Sequence, residues 1–399
     1  MNKYVVRRDV LLFAIYSFVF FIPNYFAGTF TSIASNIAMI IAGIFILSKK
    51  IKPSSLVSTI IVYFLFLIGI TFIMKSNTVN IHTLATPIKT ILYLMVLHYM
   101  FVKKKESCIN ALLFSITFYV LMNSILIILY PNGLYQVISE INEWSSVASA
   151  NWLFGNKNNQ ILWYVLWILL LSIKLDITNN KIRWKRILFI SIIVSGIIFM
   201  IIQSSTSLIV LVVLIFGVYV GNYNKILSKI RIKATFFLVL FGLIESLLAL
   251  GYTTYFNSVI GQFFGKNTTF SNRVIIWQTV LSRIIQKPIF GWGIISSGEA
   301  GDILGRVTYV NAHNQALNVL WQGGVVLFVV FIVLLIKVSK NIDSIPKPKV
   351  HIKSVFIFAA LLIEMLMEVI MGMGAFWIIL MLLYLISEEE KITAYGECK

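Results

Sequence analysis

Charge is scarce in this chain. Only 12% of its 399 residues are Asp, Glu, Lys or Arg, against about 25% in an ordinary soluble domain. Acidic residues are rarer still, 15 against 33 basic ones. There are two cysteines, Cys108 and Cys398, and both are expected at or inside the cytoplasmic face, which argues against a disulfide framework. No Gly-rich nucleotide loop, no His/Cys metal-ligand pattern and no nucleophile-elbow motif occurs, so no cofactor or metal is expected. The loops expected in the cytosol are short and basic, with no room for a nucleotide sugar.

What the chain has is apolar length. Hydrophobic residues make up 59% of it and its mean hydropathy is +0.91. Apolar runs of about 17–23 residues recur, each enough to cross a hydrocarbon core of about 30 Å. They predict an all-α, polytopic integral membrane protein, one transmembrane domain over residues 1–399. Twelve spans are expected, at 10–26, 29–47, 56–74, 84–102, 108–129, 160–175, 187–203, 207–221, 234–251, 315–337, 354–372 and 375–387. The N-terminal run after Lys3, Arg7 and Arg8 reads as an uncleaved first helix.

The net charge of +18 suggests nucleic acid at first sight. Its distribution excludes that reading. Basic residues cluster after alternate spans, as at Lys49–Lys50–Lys52, Lys103–Lys104–Lys105 and Lys181–Arg183–Lys185–Arg186. Positively charged loops stay in the cytosol, so both termini are expected there, in a plasma membrane.

Two long loops then face outwards, residues 130–159 and 252–314. Loops of that length in a compact domain are usually functional or disordered. In the second, Val274, Ile276, Trp277, Val280, Leu281, Ile284 and Ile285 fall near helical spacing between Arg273 and Gln286, which predicts a short helix on the membrane surface. Pro288 stops it, and Gly291 and Gly293 permit a tight turn.

Arg273 and His313 are the sharpest chemical candidates in that loop. A guanidinium presents a planar fork of donors suited to phosphate oxygens. An imidazole can take a proton from a hydroxyl near neutral pH. The alternative is an interfacial arginine snorkelling to headgroups and a histidine capping the next helix. Arg283, Lys287 and Arg306 add positive charge for an anionic substrate or for lipid headgroups. Glu299 and Asp302 are the loop's only carboxylates, a base or charge partners of the arginines. Lys89, Glu245, Glu364 and Glu368 lie within apolar runs, where charge is costly and usually faces a cavity or a partner. Lys89 is read as a substrate contact or a glutamate partner. Ser205 and Ser207, at the outer junction of two spans, can bind phosphate or cap a helix.

The run Asn272–Arg273, Trp277, Pro288, Gly291-x-Gly293, His313–Asn314 and Gly323–Gly324 resembles the signature of the O-antigen ligase and polymerase superfamily. Gly155 with Asn159, and the serine-rich junction at 205–207, are similar to the segment that precedes it in that family. The resemblance covers roughly residues 150–337. It implies a metal-independent membrane glycosyltransferase on the outer face, with undecaprenyl-pyrophosphate-linked oligosaccharide as donor. In polymerases a second lipid-linked unit is the acceptor; in ligases it is a different molecule. It further implies catalytic roles for His313 and Arg273, with Asn314 among the substrate-binding residues. Family ligases carry an arginine in the serine-rich junction. Ser205–Thr206–Ser207 stands there in this chain, which favours a polymerase making capsule, exopolysaccharide or O-antigen. A flippase and a chain-length regulator are the expected protein partners. A lipid-linked oligosaccharide flippase is the rival from another class, but the sequence shows no matching halves.

Overall fold

A computed structural model describes residues 3–26, 28–75, 82–142, 145–223, 231–249, 267–304 and 311–397. Thirteen α-helices run through these residues: α1 (Lys3–Phe20), α2 (Thr29–Lys49), α3 (Ser55–Met74), α4 (His82–Leu129), α5 (Ile161–Ile177), α6 (Lys181–Ile201), α7 (Ser205–Tyr223), α8 (Ala234–Ala249), α9 (Asn267–Gln286), α10 (Ser297–Leu304), α11 (Gln315–Asp343), α12 (Pro348–Met367) and α13 (Gly374–Glu397). By length and composition, seven of them can cross a membrane. This is a multi-pass membrane protein.

Helix occupies most of each interval expected to span, with two corrections: the interval 10–26 stops being α-helical after Phe20, and another ends early. The intervals 84–102 and 108–129 are two helices that meet at a kink at Lys104 (φ −150°, ψ 54°), within the stretch called α4. The interval 354–372 ends early, because Glu368 is extended (φ −144°, ψ 158°) and its N–H closes the helix on the Glu364 carbonyl. The segment 130–159, expected as a loop, contains regular structure. It holds a small antiparallel sheet of β1 (Tyr135–Asn142), β2 (Ser145–Trp152) and β3 (Gly155–Asn156), in that order. Cys108 is buried and unbridged, while Cys398 lies outside the described residues.

Burial sorts the helices by depth in the bundle. A helix apolar on every side belongs in an interior, and α5 and α12 are buried along nearly their whole length. Helix α2 is peripheral, with Phe30, Ile40, Ile44 and Leu47 facing outwards. Helix α12 packs most extensively against α7. The approach is set by Gly217 and Gly221: a methyl on either would collide with Phe356 or Lys353 of α12. Small residues four apart let membrane helices touch backbone to backbone.

Helix α11 is interrupted at Gly324, whose φ of 59° and ψ of −163° are open essentially only to glycine. The break frees carbonyls on one side and N–H groups on the other, which must find partners inside a membrane protein. The turn after α9 supplies them. Trp292 N–H and Gly293 N–H donate to the Trp321 and Gln322 carbonyls at 3.0 and 2.8 Å, while Val325 and Val326 N–H donate to the Pro288 and Ile289 carbonyls at 2.8 and 3.2 Å. Gly291 and Gly293 take positive φ to make this turn.

Gly324→Ala should therefore lower the thermal-unfolding midpoint of the purified protein. A non-glycine conformation costs about 1–3 kcal/mol, and the added methyl would meet the Ile289 carbonyl. Gly298→Ala, where a methyl meets nothing within 4 Å, should leave the midpoint unchanged or raise it. Equal midpoints for Gly324→Ala and the parent would show that the docked turn contributes no stability.

Candidate active site

The centre of the site is a carboxylate just beyond the end of a span. Glu368 follows α12 and is 3% exposed. Arg273 Nη2 donates to its Oε1 at 2.6 Å, Asn158 Nδ2 donates to the same oxygen at 2.7 Å, and His313 Nδ1 lies 3.2 Å from Oε2. Three distant stretches of chain thus converge on one acidic side chain.

Each donor is placed by its own local structure. Arg273 and Trp277 are four apart on α9 and so share a helix face. The buried Trp277 indole donates to the Ala312 carbonyl at 3.0 Å, which brings the α9 face beside His313. His313 has a left-handed backbone (φ 46°), an uncommon choice for a residue with a Cβ. Its N–H donates to Asn311 Oδ1 at 2.8 Å, and Asn314 immediately caps α11 by accepting from Leu317 N–H at 2.8 Å. The third donor sits in a tight turn between β3 and α5, where Asn156 Oδ1 accepts the backbone N–H of Asn158 and Asn159, both at 3.0 Å. Ser204 Oγ then donates to Asn158 Oδ1 at 3.1 Å and lies 2.8 Å from Ser207 Oγ.

This geometry sets protonation states. Burial pushes the Glu368 carboxyl upwards, but the His313 hydrogen bond, the Arg273 charge and the Asn158 amide hold it below the usual carboxylate range. An ionised carboxylate only accepts hydrogen bonds, so the nearby His313 Nδ1 carries the proton. In the neutral imidazole Nε2 is then the free acceptor, the tautomer a general base needs. Only one of the five guanidinium N–H donors of Arg273 is engaged among the described residues. The side chains of Arg273 and His313 are 14% and 24% exposed, while Glu368 is buried beneath them. Two groups that can face a substrate therefore rest on one that cannot.

The other sequence candidates scatter. Asn314 is fully buried and spends its amide on the Glu245 carboxylate (3.0 and 2.9 Å) and the Leu366 carbonyl (3.2 Å), so it fastens α8, α11 and α12 rather than facing a substrate. Arg283 donates to the Ile303 carbonyl at 2.9 Å and so holds the end of α10. Lys287 covers the Trp292 ring, 4.1 Å from its centroid. Glu299 pairs with Lys75 at 2.5 Å, not with a loop arginine, and Asp302 is exposed with no ion pair among the described residues. Ser205 is exposed, and Ser207 reaches the cluster only through Ser204. Arg306 lies outside the described residues. Lys89 pairs with no glutamate among the described residues; its ammonium stands 5.2 Å from the Phe20 ring centroid. Glu364, one turn before Glu368, has no hydrogen-bond partner there either.

Two members of the cluster were not among the predicted site residues. Glu368 was noticed only as a charge in an apolar run, and its cost there was the signal that it should have partners. Asn158 sits within the Gly155–Asn159 run that carries the family resemblance, which points to Gly155 and Asn159 and not to Asn158.

Residues 189–332, a little over a third of the chain, match the family model described as O-antigen ligase. The match supports the O-antigen ligase and polymerase superfamily. A search of curated proteins returned no match. The O-antigen ligase match takes in Ser204, Arg273, His313 and the break in α11 at Gly324. It stops before Glu368 and begins after Asn158, so this site joins residues inside and outside the matched segment.

Glu368→Ala should destabilise the folded protein by about 3–5 kcal/mol, the usual range for removing one partner of a buried ion pair. Glu368→Gln keeps an acceptor and should cost less. Thermal unfolding of the purified variants checks the order; an unchanged midpoint for Glu368→Ala would remove the carboxylate from its central place.

Proposed function

We propose that this chain is a polysaccharide polymerase of the outer face of a bacterial plasma membrane. It transfers a glycan from a polyprenyl pyrophosphate, the undecaprenyl carrier implied by the family, to a hydroxyl of a second lipid-linked unit. The observation that carries this reading is the meeting of Arg273 and His313 at buried Glu368, the Arg273 guanidinium spending one N–H there among the described residues.

In this reading the free N–H groups of Arg273 take the pyrophosphate oxygens of the donor. They stabilise the charge that grows as the bond from the anomeric carbon to the phosphate oxygen breaks and that oxygen keeps the electron pair. Such preorganised stabilisation is commonly the largest catalytic contribution. The acceptor hydroxyl oxygen bonds to the anomeric carbon and gives its proton to His313 Nε2. Glu368 holds the imidazole from the other nitrogen and balances the imidazolium that forms, the role a buried carboxylate plays in a catalytic triad. The proton then passes to solvent, and polyprenyl pyrophosphate departs. Attack from the side opposite the leaving group inverts the anomeric centre. No metal enters these steps.

Topology supports the outer face. Lys353 pairs with Asp176 at 2.5 Å near the start of α12 and the end of α5. Glu368 and Asn158 lie at the other ends of the same two helices, about 20 Å away at 1.5 Å per residue. The lysine-rich ends, including Lys105 and Lys347 paired with Glu389 and Glu390, are thus remote from the site, and such ends face the cytosol. The family description favours a second reading, a ligase that passes the glycan to a different acceptor.

His313→Ala should slow transfer by roughly 10²–10⁴-fold, the usual worth of a general base, and Arg273→Ala by at least about 10²-fold. Membranes carrying each variant at parental protein levels should lack long surface glycan. Chains of normal length and abundance from either variant would remove that residue from the mechanism. Purified enzyme given lipid-linked units separates the two readings, because a polymerase lengthens glycan on the lipid carrier and a ligase does not.

A further inference from the structure

Beside the Glu368 cluster lies a second, unassigned cavity of about 280 Å³, near the lower end of the range for small-molecule sites (about 300–1,000 Å³). Four parts of the fold enclose it. Phe20 ends α1, Lys89 and Thr90 come from α4, Phe154 and Trp163 flank the turn before α5, and Gly372 belongs to the link between α12 and α13. That link starts at Glu368, so Gly372 and Glu368 are separated by at most about 14 Å of chain. The turn before α5 is shared too, since Asn158 lies between Phe154 and Trp163. The two sites are thus joined by short stretches of chain.

Their chemistry differs. Lys89 brings one positive charge to the cavity and has neither a carboxylate partner nor a hydrogen bond among the described residues. Phe154 and Trp163 stack face to face at 4.4 Å and 7°, an aromatic pair that presents its outer side to the cavity as an apolar contact. Thr90 adds a buried hydroxyl. A partly buried ammonium is stabilised by an anion from outside when the protein supplies none, and aromatic planes suit the apolar faces of sugar rings. Helix α1 must close on this space: a methyl on Gly374 would meet the Phe20 ring at 2.8 Å.

We propose that this cavity is a second substrate subsite, in which Lys89 holds an anionic group of a sugar-bearing ligand while Phe154 and Trp163 receive its ring. The ligand's identity as the acceptor rests on the glycan-transfer reading above; anion binding at Lys89 does not. The anion is either a phosphate near the lipid end or the carboxylate of an acidic sugar. In both cases the acceptor enters between α1 and the link after Glu368, opposite the guanidinium that holds the donor. The transfer centre then lies between two cations, one for each substrate.

Binding to the full chain in lipid nanodiscs tests this. Farnesyl diphosphate and methyl glucuronide are titrated separately into the parent, Arg273→Ala, Lys89→Met and Lys89→Arg proteins. At least one probe should still bind Arg273→Ala. Lys89→Met should weaken that binding about 10- to 100-fold, the loss expected for a hydrogen bond to a charged group, and Lys89→Arg should restore it. The responding probe identifies phosphate or carboxylate as the anion. The same probe should change tryptophan fluorescence in the parent and not in Trp163→Phe, a readout that does not need a stable Lys89 variant. Unchanged affinities in Lys89→Met, or an unchanged fluorescence response in Trp163→Phe, would overturn the subsite. Lys89-dependent binding together with full transfer by Arg273→Ala would keep the subsite and overturn the donor assignment instead.

Discussion

A buried carboxylate must be satisfied or the fold around it fails. Burying an ionised group without partners costs several kcal/mol even after relaxation. Glu368 meets that demand with a guanidinium, an imidazole and an amide. Those groups come from α9, from the residue before the α11 cap, and from the turn ahead of α5. One electrostatic requirement thus ties an outer segment, a small sheet and two central helices together. The same requirement orders the site: the acid is its most buried member, and the guanidinium and the imidazole are the more exposed ones.

The helices that carry these groups are positioned by simpler means. Gly217 and Gly221 let α7 lie close against α12, the helix from whose end Glu368 follows. The indole of Trp277 joins α9 to the Ala312 carbonyl, so the spacing between Arg273 and His313 follows from one hydrogen bond and one helical turn. Glu245 and Asn314 add a buried polar contact between α8 and α11. Each is a local device, and together they place charged atoms that are distant in sequence within 3.2 Å of one carboxylate.

Much of this was legible from residues alone, and the part that was not has physical causes. Apolar runs of bilayer length located the spanning helices, because helices must satisfy their own backbone in lipid. The amphipathic spacing after Arg273 indicated α9, although the structure leaves Ile285 exposed and starts the helix at Asn267. The interval after Glu368 misled because hydropathy averages over a window and cannot see a helix that stops inside an apolar stretch. The basic run Lys103–Lys104–Lys105 marks the boundary between two spans, and the helix breaks there, at Lys104. The sheet was missed because Tyr135–Asn142 and Ser145–Trp152 are too mixed in polarity to alternate cleanly. Which loop residues meet was beyond spacing: Arg283 and Asn314 look as available as Arg273 and His313, and only tertiary contacts show that the first two are already occupied.

The interruption at Gly324 has a consequence for how such a protein can change. The segment from Pro288 to Gly293 is fastened by main-chain atoms to main-chain atoms, a seam that asks for glycine at a few positions and is indifferent to the other side chains. The described residues 294–304 that follow take no part in that seam and are held instead by side chains, Lys75 on Glu299 and Arg283 on the Ile303 carbonyl. They can therefore vary without disturbing the main-chain join, so on the proposed reading recognition and chemistry are separable inheritances in this fold.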